Sequence, residues 1–274
     1  MAAPRTYRAE ALSLRKMPLG EADLLLTLYT RDAGKLRAVA KGARKNTSKL
    51  VGHCEPLTLN RLALSKGRNL DIITQAQVID NFSPLKSSLT GLTQGLYIAE
   101  LLDGFGSEAN PNPELYQLSL DVLRAVGQAP ESEMPLRFFE LHLLRVSGLM
   151  PELYDCVECR RTLEPGQHRF SPGGGGTLCL ECQPPEFLVP ESQFPNAQFT
   201  NASVRNLSLS ALKVLRMLHR TPLPEIPDLK MGQPVALELK SVLGDTVRYW
   251  LDKEIRSNSF LEHLQHLPDS PVIS

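Results

Sequence analysis

An α+β multidomain chain is what this 274-residue sequence predicts: a small N-terminal β-barrel, then an all-α domain interrupted by a four-cysteine module. Three observations carry that reading. The first 80 residues hold five short extended runs separated by turn chemistry. At Ser83 the apolar spacing switches to three and four. Two Cys-x-x-Cys pairs, Cys156/Cys159 and Cys179/Cys182, then bracket nineteen residues. The implied divisions are 1–82, 83–152, 153–186 and 187–274.

The barrel rests on period-two patterning. "YRAEALSLRKM" is extended with mixed patterning. In "EADLLLTLYT", Leu24, Leu26 and Leu28 share one face, and Leu25, Thr27 and Tyr29 the other. "GKLRAVAKG" places Leu36, Ala38 and Ala40 together. "EPLTLNRLALSKG" and "NLDIITQAQVI" complete five strands. Gly20, "RDAG", "KGARKNTSK" and "SKGRN" supply the turns. Five short strands in about 75 residues fit the five-stranded OB-fold.

Helices follow. Leu85, Leu89, Leu92, Leu96, Ala99, Leu102 and Phe105 define one amphipathic helix, closed by "GFGSEANPNP". A second spans about 113–127. A third carries Leu136, Phe139, Leu143, Val146 and Met150. After the cysteines comes a polar stretch, 183–206, then helices at about 208–220 and 233–256. The tail "LPDSPVIS" reads as frayed.

Overall charge is zero, yet unevenly spread. Residues 1–80 carry 14 Lys and Arg against 7 Asp and Glu, net +7; residues 81–274 carry 16 against 23, net −7. Such a split points to a polyanionic partner for the basic part. The longest apolar runs fall far below the roughly 20 residues of a membrane helix. The start, "MAAPRTYRAEA", has no apolar signal core, so the expectation is a soluble, cytosolic protein.

In that setting, paired Cys-x-x-Cys motifs mean metal rather than disulfides. Two knuckles separated by 15–20 residues are the pattern of a four-thiolate zinc ribbon, so Cys156, Cys159, Cys179 and Cys182 are expected to hold one structural Zn²⁺. The module balances Arg160, Arg161 and Arg169 against Glu158, Glu164 and Glu181. With four positions filled and no positive excess, it reads as a scaffold. "GGGG" at 173–176 has no following Gly-Lys-Ser/Thr and reads as the tip between knuckles. Cys54 stands alone and reads as a small buried residue.

The basic surface is the candidate for function. Alternation sets Lys35, Arg37 and Lys41 opposite Leu36, Ala38 and Ala40; the next loop adds Arg44, Lys45 and Lys49, and later segments add Arg61, Lys66 and Arg68. OB-folds hold single strands on such a face. Aromatics for stacking are few (Tyr7, Tyr29 and Phe82), which favours backbone contacts over base readout. No Walker A, Gly-x-Ser-x-Gly or His-Glu-x-x-His motif occurs, and His263 and His266 read as surface residues. A non-enzymatic nucleic-acid-binding protein is expected. The competing readings are an RNA-binding translation or transcription factor on the same barrel and ribbon, an adaptor whose basic face docks an acidic protein, and a zinc nuclease. The last lacks an open metal position.

The run "ALSLRKMPLGEADLLLTLYTRDAGKLRAVAKGARK" and the passage "FFELHLLRVSGLMPELYDCVEC" resemble the bacterial recombination mediator RecO family, over about residues 5–262. The resemblance implies binding of single- and double-stranded DNA and annealing of complementary strands. It implies work with RecR, and often RecF, to load RecA on strands coated by single-strand-binding protein. It also implies contact between the helical domain and the acidic tail of that coating protein, for which Arg124, Arg137, Arg145 and Arg248 are candidates.

Overall fold

The computed structural model describes residues 6–48, 50–182, 204–226 and 231–251. They fall into two compact units, 6–132 and 133–251.

In the first unit, β1 (Thr6–Leu19), β2 (Asp23–Thr30), β3 (Gly34–Ala40), β4 (Leu59–Ser65) and β5 (Asp71–Asp80) close into a barrel in the order β1-β2-β3-β5-β4. β1 serves two partners: Thr6–Leu12 pair with β4, and Ala11–Leu19 with β2. A bulge between Ser13 and Arg15 separates these roles. There the Ser13 N–H donates to the Thr58 carbonyl at 3.0 Å and the Leu57 N–H to the Ser13 carbonyl at 2.8 Å. β3 and β5 are parallel, with Ala38 beside Asp71 and Ala40 beside Ile73. This is the five-stranded OB-like barrel that the sequence predicts.

The alternation read in β2 and β3 is the barrel interior. Leu26, Leu28, Ala38 and Ala40 join Ala11, Leu62, Leu64 and Ile73 in one buried cluster, with Leu24 and Leu36 against it. Cys54 lies in the same cluster, and burial pushes its thiol up to about 11. The mixed pattern of β1 has a cause: Leu12 and Leu14 are buried outside that cluster, on a strand that a helix also covers.

The single helix expected from Leu85 is two: α1 (Ser83–Lys86) and α2 (Leu89–Phe105). Ser88 breaks it. Its backbone is extended (φ −119°, ψ 147°), and its hydroxyl accepts the Gly91 N–H at 2.9 Å as an N-cap. The expected stripe is also rotated, since Leu89 and Leu96 are exposed. α2 buries Tyr97, Ile98, Leu101 and Leu102, and small residues bring its first turns close to their neighbours. A Cβ on Gly95 would lie 2.9 Å from both Leu57 and Leu85 side chains, and one on Gly91 2.7 Å from the Leu85 carbonyl oxygen. α3 (Pro113–Gln128) is capped by Asn112, whose side chain accepts the Leu115 N–H at 2.9 Å.

In the second unit, α4 (Met134–Val146) ends earlier than expected. Gly148, at φ +75°, turns the chain, and the Leu149 N–H returns to the Leu144 carbonyl at 2.8 Å, so Met150 lies outside the helix. The cysteine module contains β6 (His168–Ser171) and β7 (Gly176–Leu178). β8 (Arg205–Leu207), unexpected at the end of the polar stretch, joins them in the order β7-β6-β8. α5 (Leu209–Arg220) and α6 (Gln233–Leu251) pack with α4 and with each other. His263 and His266 lie outside the described residues, as does the tail. Among the described residues, no helix is long and apolar enough to cross a membrane.

Candidate nucleic-acid interface and metal centre

The chain after β3 is built to present cations. Ala43 is buried while Lys41, Arg44 and Lys45 are exposed. The Gly42 N–H donates to the Asp23 carboxylate at 2.7 Å, and the Arg44 N–H to the Ala22 carbonyl at 2.9 Å. The Arg44 guanidinium donates to the Gly20 carbonyl at 3.2 Å. These bonds fasten the loop to the β1–β2 turn. No carboxylate among the described residues forms an ion pair with Lys41, Arg44 or Lys45. Lys66 and Arg68 are exposed in the β4–β5 connection, which enters β5 beside Ala38 of β3.

The other candidates have partners. Lys35 donates to the Asp103 carbonyl at 2.6 Å and pairs with its carboxylate at 3.3 Å. Arg37 meets Glu108 at 3.0 Å, and Arg61 meets Glu10 at 2.8 Å. The exposed pairs of Arg37 and Arg61 are worth about 0–1 kcal/mol, weak enough to exchange for a phosphate, whereas that of Lys35 is half-buried. Lys49 lies outside the described residues.

None of the three aromatics is presented for stacking. Tyr29 is buried, with Gly106 at the end of α2 so close that a Cβ there would sit 2.7 Å from the ring. Tyr7 packs against the barrel cluster and donates its hydroxyl to Asp71, and burial with that bond raises its pKa. Phe82 is buried, with Arg124 5.9 Å from its ring centroid.

In the second unit the four sulfurs of Cys156, Cys159, Cys179 and Cys182 lie within 4.8 Å of one another, Cys159 and Cys179 at 3.8 Å. The strand pair β6–β7 spans the interval between knuckles and brings them together. The Cys179 N–H points at Cys156 Sγ at 3.4 Å, and the Arg161 guanidinium at Cys159 Sγ at 3.4 Å. The backbone N–H and guanidinium of Arg161 bring the Cys159 thiol down to about 6. The donors aimed at Cys156 and Cys159 favour their thiolates, and the closeness of all four sulfurs lets the set hold one ion. Arg161 is paired with Glu181. The "GGGG" tip has a tight end, because a Cβ on Gly176 would lie 2.5 Å from Glu152 backbone atoms.

Of the arginines considered for an acidic tail, Arg137 is buried with Glu140 at 2.9 Å. Arg124 pairs with Asp80 at 3.2 Å, Arg248 with Asp245 at 2.8 Å, and Arg145 donates to His142 at 3.1 Å. A second cationic group is not marked by any sequence motif. Arg216 and Arg220 of α5 lie 5.0 and 4.8 Å from the Tyr154 ring centroid. The one available signal was that α5 contains no acidic residue.

This arrangement can be set beside known proteins. The family model "Recombination protein O N terminal" matches residues 1–82, and "Recombination protein O C terminal" matches residues 86–259. The chain belongs to the RecO family. A DNA repair protein RecO of Dehalococcoides mccartyi is 32% identical over 264 residues, covering 96% of this chain and 98% of that one. One of Roseiflexus is 36% identical over 263 residues, covering 96% and 87%. One of Desulforudis audaxviator is 34% identical over 264 residues, covering 95% and 98%. The join between the two RecO models falls at α1, where the barrel's last strand gives way to helices.

Proposed function

We propose that this RecO-family protein binds single- and double-stranded DNA through the barrel, anneals complementary strands, and with RecR, and RecF where present, helps load RecA on strands coated by single-strand-binding protein. The observation that carries the reading is the loop of Lys41, Arg44 and Lys45. It is exposed, free of described carboxylate partners and braced on the β1–β2 turn. Lys66 and Arg68 extend it; Arg37 and Arg61 join by exchanging their carboxylates for phosphates. Lys35 supports the strand, and Lys49 completes the basic run in sequence.

The mechanism is electrostatic and needs no catalytic residue. Two complementary strands repel each other. Cations on a rigid loop screen that repulsion and hold the backbones close while bases pair. With Tyr29 and Phe82 buried and Tyr7 half-buried and bonded to Asp71, contacts go to the backbone and binding tolerates any sequence. Cys156, Cys159, Cys179 and Cys182 hold one Zn²⁺ that fixes the two knuckles. The protein acts in the cytoplasm, and the helical part contacts the acidic tail of the coating protein.

The test is annealing of complementary fluorescent oligonucleotides without ATP at two salt concentrations. The expected result is acceleration at low salt that fades at high salt. No acceleration at low salt removes the reading.

A further inference from the structure

Beside the cysteine module lies a cavity of about 290 Å³ whose lining includes Tyr154, Arg160 and His219. Arg160 follows the first knuckle directly and is exposed. α5, whose His219 lines the cavity, also carries Arg216 and Arg220, both against the Tyr154 ring. Arg216 donates its Nε to the Leu153 carbonyl at 2.9 Å, and Arg220 its Nε to the Tyr154 hydroxyl at 2.8 Å. Lys213 is exposed on the same helix. Residues 213, 216 and 220 are three and four apart, so they share one face. No described carboxylate forms an ion pair with any of these four cations. The carboxylate that lines the cavity, Glu152, already accepts the N–H groups of Tyr154 at 2.8 Å and Asp155 at 3.2 Å.

Counted alone, the module is charge-balanced. The Arg161–Glu181 pair leaves that balance unchanged, with Arg160 and Arg169 against Glu158 and Glu164, and it is α5 that adds net positive charge, three cations and no acid. We infer that Arg160, Lys213, Arg216 and Arg220 form a second DNA contact that takes the phosphodiester backbone of a single strand. The inference rests on the DNA-binding reading above and extends it to the second unit. A row of cations suits a repeating anion. An acidic peptide anchored by apolar side chains would want an exposed apolar rim, and none of the exposed large hydrophobics among the described residues lines this cavity. Tyr154 holds the guanidiniums of Arg216 and Arg220 in place by cation–π contact, which lowers the entropy cost of binding.

The experiment titrates labelled oligothymidylate against the full-length protein across a salt series. Wild type is compared with R160A/K213A/R220A and with K41A/R44A/K45A. Metal content and thermal midpoint serve as folding controls. If each removed cation meets one phosphate, the first variant has a log–log salt slope shallower by about 2, at about 0.7 per contact. Wild-type binding by that variant, with binding weakened in the loop variant, overturns the inference and leaves the barrel reading standing. Wild-type binding by both variants overturns both. Should the triple variant lose its metal, Lys213→Glu, on the exposed face of α5, must weaken binding by itself, and unchanged affinity overturns the inference. Polyglutamate binding that R160A/K213A/R220A abolishes, with DNA affinity unchanged, assigns the surface to an acidic protein and also overturns it.

Discussion

Lys35 Nζ lies 2.6 Å from the Asp103 carbonyl oxygen and 3.3 Å from the same residue's carboxylate, fastening β3 to the last turn of α2. That carbonyl belongs to the helix end that lacks internal partners, where a cation is favoured. Lys35 and Lys41, six residues apart, therefore have different jobs. Lys35→Ala should cost about 1 kcal/mol of stability and change DNA affinity little. Lys41→Ala should leave stability unchanged and make the salt slope shallower by about 0.7. Denaturant melts paired with salt titrations separate the two.

The cysteine cluster makes a prediction of composition. Purified protein should contain about one zinc ion per chain, measured by elemental analysis. Cys156→Ser removes the most buried of the four ligands and should give an unstable or insoluble protein. A well-folded Cys156→Ser protein that had lost only DNA binding would contradict the scaffold role.

Gly34 opens β3 at φ +66°, and a Cβ there would sit 2.4 Å from the Asn110 carbonyl oxygen. Both the backbone region and the space exclude a side chain. Gly34→Ala should cost about 2 kcal/mol or more, read as a lower denaturant midpoint, because the 107–110 segment must move away from the barrel.

Arg137 and Glu140 form a buried pair on α4 at 2.9 Å, at 4% and 1% side-chain exposure. Removing one partner takes away the other's closest opposite charge at a buried position. Arg137→Ala should destabilise by about 3–5 kcal/mol, measured by chemical unfolding. A milder loss, with binding of an acidic tail peptide abolished, would make Arg137 a binding residue and not a structural one.

Much of this was legible in the sequence, and the remainder failed for physical reasons. β2 and β3 alternate because one face fills the barrel and the other meets solvent or a helix. β1 does not alternate where both faces are covered, at Leu12 and Leu14. The buried face of α2 runs through Tyr97, Ile98 and Leu101 and is continued by Gly91 and Gly95, which make contact by being small and so add nothing to an apolar pattern. The basic loop could be read from Lys41, Arg44 and Lys45 alone. That Lys35 and Arg37 are engaged could not, since Asp103 and Glu108 lie about 70 residues further along the chain. The four cysteines announced themselves by spacing, whereas Arg160 and His219 come to one cavity, and Arg216 and Arg220 to Tyr154, only through folding.

The central claim is that the loop after β3 holds DNA by charge. Its most direct test is the salt dependence of single-strand affinity for wild type and for K41A/R44A/K45A at matched stability. Three lost phosphate contacts should make the log–log slope shallower by about 2, with weaker binding at low salt. A variant whose affinity and slope both match wild type would contradict the claim.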